Sequence, residues 1–135
     1  MGAWDHGVFD DDTAYDALDD LKASQEIMTE MERYFDAVIG AEHVGYDEGH
    51  YALVSAAVMD SVLNGTRYRC DDEDHFEWIK TLDSFDLAPL RQKAIAAIDA
   101  VLSDRSELKE LWQENKERFS AWQEDKISMR ERLRS

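Results

Sequence analysis

Residues 52–65 read ALVSAAVMDSVLNG, and the apolar residues of this stretch recur at the intervals of three and four typical of a helix. Asn64 and Gly65 end the pattern, because glycine readily adopts the left-handed conformation that terminates helices. The small residues between the larger ones favour close approach of a neighbouring helix. We predict a helix over about 48–63 with an apolar stripe at Leu53, Val54, Ala57, Val58 and Val62.

The remainder of the chain shows the same helical spacing, without a strand pattern of useful length. We therefore predict an all-α fold: a single compact, bundle-like domain over residues 1–135, with five to six helices and a long C-terminal helix. The other predicted helices cover about 12–21, 24–39, 76–82, 88–102 and 106–133. The last is one long helix or two with a bend near 116–120. A short extended piece can lie at 44–46 or 68–70.

The first predicted helix has a start signal and two contrasting faces. Thr13, followed three residues later by Asp16, resembles a capping box that would begin the helix. Leu18 and Leu21 lie on its apolar side with two alanines. The opposite face carries Asp12, Asp16, Asp19 and Asp20.

Charge is distributed unevenly along the sequence. The net charge is −16, and residues 1–77 hold 20 Asp and Glu against 4 Lys and Arg, whereas residues 78–135 hold 11 of each kind. An acidic surface repels nucleic acid and anionic lipid and attracts basic partners. We therefore expect a basic protein as partner, and neither nucleic acid nor a membrane. Solubility alone is the competing explanation of this charge.

The location predicted from composition is the cytoplasm. The single cysteine, Cys70, cannot form an internal disulfide, which fits a reducing compartment. The N-terminus has no signal-peptide pattern, and no apolar run approaches the roughly 20 residues that span a bilayer.

Motifs that carry chemistry are scarce in this sequence. It contains no nucleophile elbow, phosphate-binding glycine loop, H-E-x-x-H or C-x-x-C motif. The acids that begin at Asp10 do not have the spacing of a calcium loop. Asp71 and His75 have a helical i, i+4 spacing that suits two metal ligands, but an acidic segment produces such pairs by chance. We predict neither metal, cofactor nor catalytic residues.

The N-terminal stretch MGAWDHGVFDDD supports a resemblance. Together with ALVSAAVMDSVLNG, FEWIKTL and SELKELWQE, it resembles, over nearly the full length, a bacterial family of small acidic proteins known only as a domain of unknown function. Members of that family usually begin Met-Gly-Ala-Trp-Gly, and Asp5 replaces the second glycine here. The resemblance implies a bacterial, intracellular, mostly helical domain and brings no catalytic residues. It also implies that Trp4 is a fixed structural element.

Three functions are compatible with these features of the sequence. The first is a non-catalytic protein-binding module of the immunity or antitoxin type, which neutralises a basic partner through Asp10, Asp12, Asp16, Asp19 and Asp20. Trp4 and Phe9 would anchor the chain start and hold these acids on a rigid helix. The second is a structural or regulatory protein that forms homo-oligomers through the last helix. The third is a metal-dependent enzyme that combines the acids with His6, His50 or His75.

Overall fold

Seven α-helices account for most of residues 5–134, the part of the chain that the computed structural model describes. They are α1 (Asp12–Ala23), α2 (Ile27–Val38), α3 (Tyr46–Asn64), α4 (His75–Thr81), α5 (Arg91–Val101), α6 (Glu107–Gln113) and α7 (Phe119–Arg134). Short 3₁₀ turns lie at Leu82–Ser84 and Ala88–Leu90. The all-α prediction is confirmed. The helix count exceeds the predicted five to six because the last predicted segment divides into α6 and α7.

The central element is α3, which packs against α1, α2, α5, α6 and α7. The sequence predicted one apolar stripe, but this helix is buried around nearly its whole circumference. Its small residues explain how five helices fit around it. Leu108 of α6 packs beside Gly49, where a Cβ atom would lie 3.5 Å from its side chain, an ordinary van der Waals distance.

The cap of α1 differs from the prediction. Asp11, not Thr13, is the N-cap: its backbone is extended (φ −156°), and its carboxylate accepts a 2.7 Å hydrogen bond from the Thr13 N–H. Thr13 itself is already helical. An aspartate at this position satisfies one of the free N–H groups at a helix start, so α1 begins at Asp12 and extends two residues beyond its predicted end.

The break between α6 and α7 falls within residues 114–118 and contains neither glycine nor proline. Asn115 shapes it, because its side-chain oxygen accepts from Arg118 N at 3.2 Å and its carbonyl from Phe119 N at 2.9 Å. The two helices place Trp112 against Trp122 with their rings stacked 6.0 Å apart. Both rings are almost fully buried, so the division lets one segment bury two large side chains against each other.

A short extended contact joins the segment before α3 to the start of α6. Val44 and Ser106 form an isolated parallel bridge, in which Val44 N donates to the Arg105 carbonyl and Glu107 N donates to the Val44 carbonyl, each at 2.9 Å. Among residues 5–134, no helix has the length and apolar character needed to cross a membrane.

Candidate functional site

The six aspartates between residues 10 and 20 fall into two groups. Asp10 and Asp11 are 6% and 1% exposed. The four that remain, Asp12, Asp16, Asp19 and Asp20, are exposed on the outer side of α1. Helical periodicity predicts the outward group, but it does not show that Asp10 and Asp11, which precede the helix, turn inward.

Asp11 joins α1 to the beginning of α3. Its Oδ2 accepts a hydrogen bond from the Tyr46 hydroxyl and lies 3.4 Å from His50 Nε2, and all three side chains are buried or half-buried. Burial alone would raise the pKa of Asp11, but the His50 imidazole and the Tyr46 hydroxyl lower it well below its usual range. Asp11 therefore remains a carboxylate at neutral pH and fixes the orientation of α1.

The outward acids adjoin two residues of α3. Tyr51 donates a 2.8 Å hydrogen bond to Asp20, and the exposed Asp47 lies one helical turn before Tyr51. Burial, the hydrogen bond to Asp20 and the charges of Asp16 and Asp47 raise the pKa of Tyr51 to about 12. Asp20 binds the hydroxyl directly, whereas Asp16 and Asp47 act on it through their charge. We call Asp12, Asp16, Asp19, Asp20 and Asp47 the acidic surface.

The acidic surface is not neutralised by basic side chains. None of its five carboxylates forms an ion pair with Lys or Arg among residues 5–134. Acids elsewhere do pair: Lys93 lies 2.9 Å from Asp36, and Arg130 lies 2.5 Å from Asp99. Lys22, the basic residue in the last turn of α1, instead binds Asp72.

A second polar region lies beside the N-terminal segment. Asp10 accepts a hydrogen bond from Gly7 N at 3.1 Å and lies 3.6 Å from an Arg69 nitrogen, so its carboxylate faces a cleft of about 360 Å³. A Cβ atom on Gly7 would come within 2.7 Å of that carboxylate, which explains a glycine there without a positive φ. The contact of Asp10 with a partner stays a prediction, and it would act through charge more than through accessible surface.

Phe9 lies in the core at 1% exposure, with its ring 6.1 Å from that of Tyr68 and 5.1 Å from that of His75. This environment suits an anchor, and its contribution to holding the chain start stays a prediction. The other predicted anchor, Trp4, lies outside the described residues.

Residues 2–125 match the family described as "Domain of unknown function (DUF4259)". The chain belongs to this family. No curated protein and no solved structure showed detectable similarity to the chain.

Histidines and the cysteine of this DUF4259 domain do not assemble a metal centre in the described region. Among residues 5–134, no three His, Cys, Asp or Glu side chains converge as they would around a metal ion. His75 is fully buried between aromatic rings, and neither ring nitrogen has a hydrogen-bond partner in that part of the chain. Burial raises the pKa of the Cys70 thiol, which disfavours the nucleophilic thiolate.

Sequence reasoning missed two buried charged groups of the DUF4259 domain. Lys126 is 1% exposed on α7, and Asp60, at 0%, binds Tyr68 at 2.6 Å and Arg132 at 2.7 Å. The burial of Lys126 could have been predicted from its spacing. It follows Trp122 by four residues and precedes Met129 by three, which are helical intervals along one side of a helix. A charged residue within an apolar stripe indicates a buried, partnered charge.

Proposed function

We propose that this DUF4259 domain is a non-catalytic binding module of the immunity or antitoxin type, which neutralises a basic protein by docking it on the acidic surface. The observation that carries the proposal is the set of five exposed carboxylates without a basic partner in the described chain. Because none of the five carboxylates is held in an ion pair in that part of the chain, the surface has a local negative potential that would attract a cationic partner.

The placement of Asp19 and Asp20 supports a role beyond folding. Both lie in the second half of α1, where negative charge opposes the helix dipole by roughly 0.3–1 kcal/mol per exposed group. Charges that served helix stability would lie at the first turn, as Asp12 does. The fixed orientation of α1 through Asp11 would also limit the entropy that binding costs.

The test compares two variants with the same net charge. The variant Asp16→Asn/Asp19→Asn/Asp20→Asn removes three charges from the acidic surface. The control removes three exposed charges far along the chain, at Glu114→Gln, Glu117→Gln and Glu124→Gln. A basic partner is first recovered from the native host, and association rates are then measured by stopped flow at several salt concentrations.

We expect the acidic-surface variant to associate more slowly than wild type and to lose much of the salt dependence, because steering acts over about 8 Å at physiological salt. The control should associate like wild type. If wild type and the acidic-surface variant associate with equal rates and affinities at low salt, the proposal is wrong and these acids serve only to solvate the protein. Equal slowing in both variants would attribute the effect to net charge rather than to this surface.

Self-association through the last helix has less support. The inward side of α7 carries Trp122, Lys126, Met129 and Leu133, which are already buried within the chain. Among residues 5–134, the one large hydrophobic residue that is exposed is Phe85, at 44%. Extensive homodimer interfaces are usually more apolar than this surface. Sedimentation of the purified protein at several concentrations separates this alternative from the first.

A further inference from the structure

A groove lies beside the acidic surface, between α2 and the first turns of α3. Its walls are Arg33, Tyr34 and Ala37 on α2, and Asp47, Glu48 and Tyr51 on α3. The volume is about 270 Å³, slightly below the roughly 300–1,000 Å³ of pockets that bury a drug-sized ligand or cofactor. The groove therefore fits one side chain better than a cofactor.

The groove combines aromatic surface with negative charge. The rings of Tyr34 and Tyr51 meet edge to face, with centroids 5.0 Å apart. Tyr51 is tied to Asp20 by its hydroxyl, and Asp47 lies on the rim without an ion pair in the described chain. Aromatic faces and carboxylates together are the two partners that a guanidinium prefers.

The protein already places one guanidinium against this aromatic pair. The Cζ atom of Arg33 lies 5.2 Å from the centroid of Tyr34, and its NH2 group binds Glu30 at 2.7 Å. Arg33 pairs with Glu30, and the charge of Asp20 acts on Arg33 without an ion pair, so neither Asp20 nor Asp47 is bound by this guanidinium. An incoming cation would approach the side of the groove formed by Tyr51 and Asp47.

We propose that this groove receives an arginine side chain of the basic partner, with its guanidinium between the Tyr51 ring and the Asp47 carboxylate. The identification of the occupant as a side chain of a protein rests on the proposed function. Charge complementarity selects a cation, and the aromatic wall selects the planar guanidinium over the compact ammonium of lysine, which is more strongly hydrated.

The experiment uses a small probe, so that it does not depend on the unknown partner. Nα-acetyl-arginine amide is titrated into the full-length, ¹⁵N-labelled protein, with the citrulline and lysine analogues as neutral and ammonium controls. We expect saturating shifts for amides around Tyr34, Asp47 and Tyr51 with the arginine probe and much weaker shifts with either control.

Three variants locate the site. Asp47→Asn should weaken binding of the arginine probe about two- to fivefold, as expected for one exposed charge pair. Tyr51→Leu should abolish the local shifts, whereas Tyr51→Phe keeps the ring and should retain them. Glu117→Gln, a remote exposed acid, should bind like wild type, and dispersed spectra show that each variant is folded.

Equal shifts with arginine and citrulline, or binding unaffected by Asp47→Asn and Tyr51→Leu, would overturn the groove assignment. Equal binding of lysine would overturn the preference for a guanidinium. Each of these results leaves the proposed function intact if partner association still depends on Asp16, Asp19 and Asp20. In the converse case, the groove binds arginine while the variant Asp16→Asn/Asp19→Asn/Asp20→Asn associates with the partner like wild type. That pair of results would reject the proposed function and leave the groove assignment in place.

Discussion

Lys126 donates a 2.9 Å hydrogen bond from its Nζ to the carbonyl oxygen of His6, across 120 residues of sequence. The ammonium is buried and also binds the Asp125 carboxylate at 2.7 Å. Burial lowers the pKa of Lys126, and the charges of Asp125 and Asp10 oppose that shift. The contact fastens the N-terminal segment to α7, directly before the acids of α1.

The first prediction tests this fastening. Lys126→Ala should lower the free energy of unfolding by about 3–5 kcal/mol, because it leaves the His6 carbonyl unpaired, breaks the contact with Asp125 and opens a cavity. Lys126→Met should cost less, since it fills the same space. Urea denaturation measures both, with the exposed Lys116→Ala as control, which should stay within about 0.5 kcal/mol of wild type. A midpoint for Lys126→Ala equal to that of Lys116→Ala would contradict the prediction.

The second prediction concerns Phe9. Phe9→Ala should destabilise the protein by about 3–5 kcal/mol, as is usual for a fully buried phenylalanine, because it removes the contacts with Tyr68 and His75. Phe85→Ala provides a matched control, since the same substitution falls on an exposed ring and should cost less than about 1 kcal/mol. Thermal unfolding followed by circular dichroism compares the two. Similar losses in both variants would show that Phe9 is not an anchor.

The third prediction is a pH dependence carried by Asp11. Its pKa is lower in the folded protein than the unfolded value of about 3.9, so the stability it contributes is present above that value and is lost as the pH falls through the folded pKa. Asp11→Asn keeps a capping oxygen but cannot titrate. The free energy of unfolding should therefore fall less steeply in this variant than in wild type between about pH 5 and 2.

The control for Asp11 is its neighbour. Asp12→Asn removes one exposed carboxylate from the same helix start and leaves the contacts of Asp11 with Tyr46 and His50 in place. A slope for Asp11→Asn that is as steep as that of Asp12→Asn would count against the assignment.

The fourth prediction concerns His75. Burial and the nearby charge of Lys22 lower its pKa, while Asp72 opposes the shift. The unfolded chain therefore binds a proton that the folded chain does not, and stability should fall as the pH drops below the unfolded value of about 6.5. His75→Leu removes this titration without breaking a hydrogen bond in the described chain, so its stability should decline less between about pH 7.5 and 5.5.

The exposed His43 supplies the comparison for His75. His43→Gln removes an exposed imidazole and is measured over the same pH range. If His75→Leu declines as steeply as His43→Gln in urea titrations, another group accounts for the acid sensitivity.

Local periodicity predicted most helices of this protein. The apolar side chains of α2, a helix predicted from its spacing, are buried at Ile27, Met31, Tyr34, Phe35 and Val38. Gly65 adopts a positive φ angle of 73°, as expected at the end of its helix. These features depend on residues within a few positions of one another, so the sequence carries the information directly. The cap of α1 was missed because Asp11 and Thr13 are both good capping residues, and the choice depends on which one α3 contacts.

The sequence by itself determined the all-α class, the side of α1 that faces the core, and the outward position of Asp12, Asp16, Asp19 and Asp20. Only the tertiary structure decided which charges are buried and paired. Lys126 meets His6, and Asp60 meets Arg132, because α3, α7 and the N-terminal segment pack together. The packing of the helices likewise places Tyr51 next to Asp20 and forms the groove beside them. Helical spacing acts over three or four residues, whereas these contacts join positions far apart in the chain, so periodicity cannot specify them.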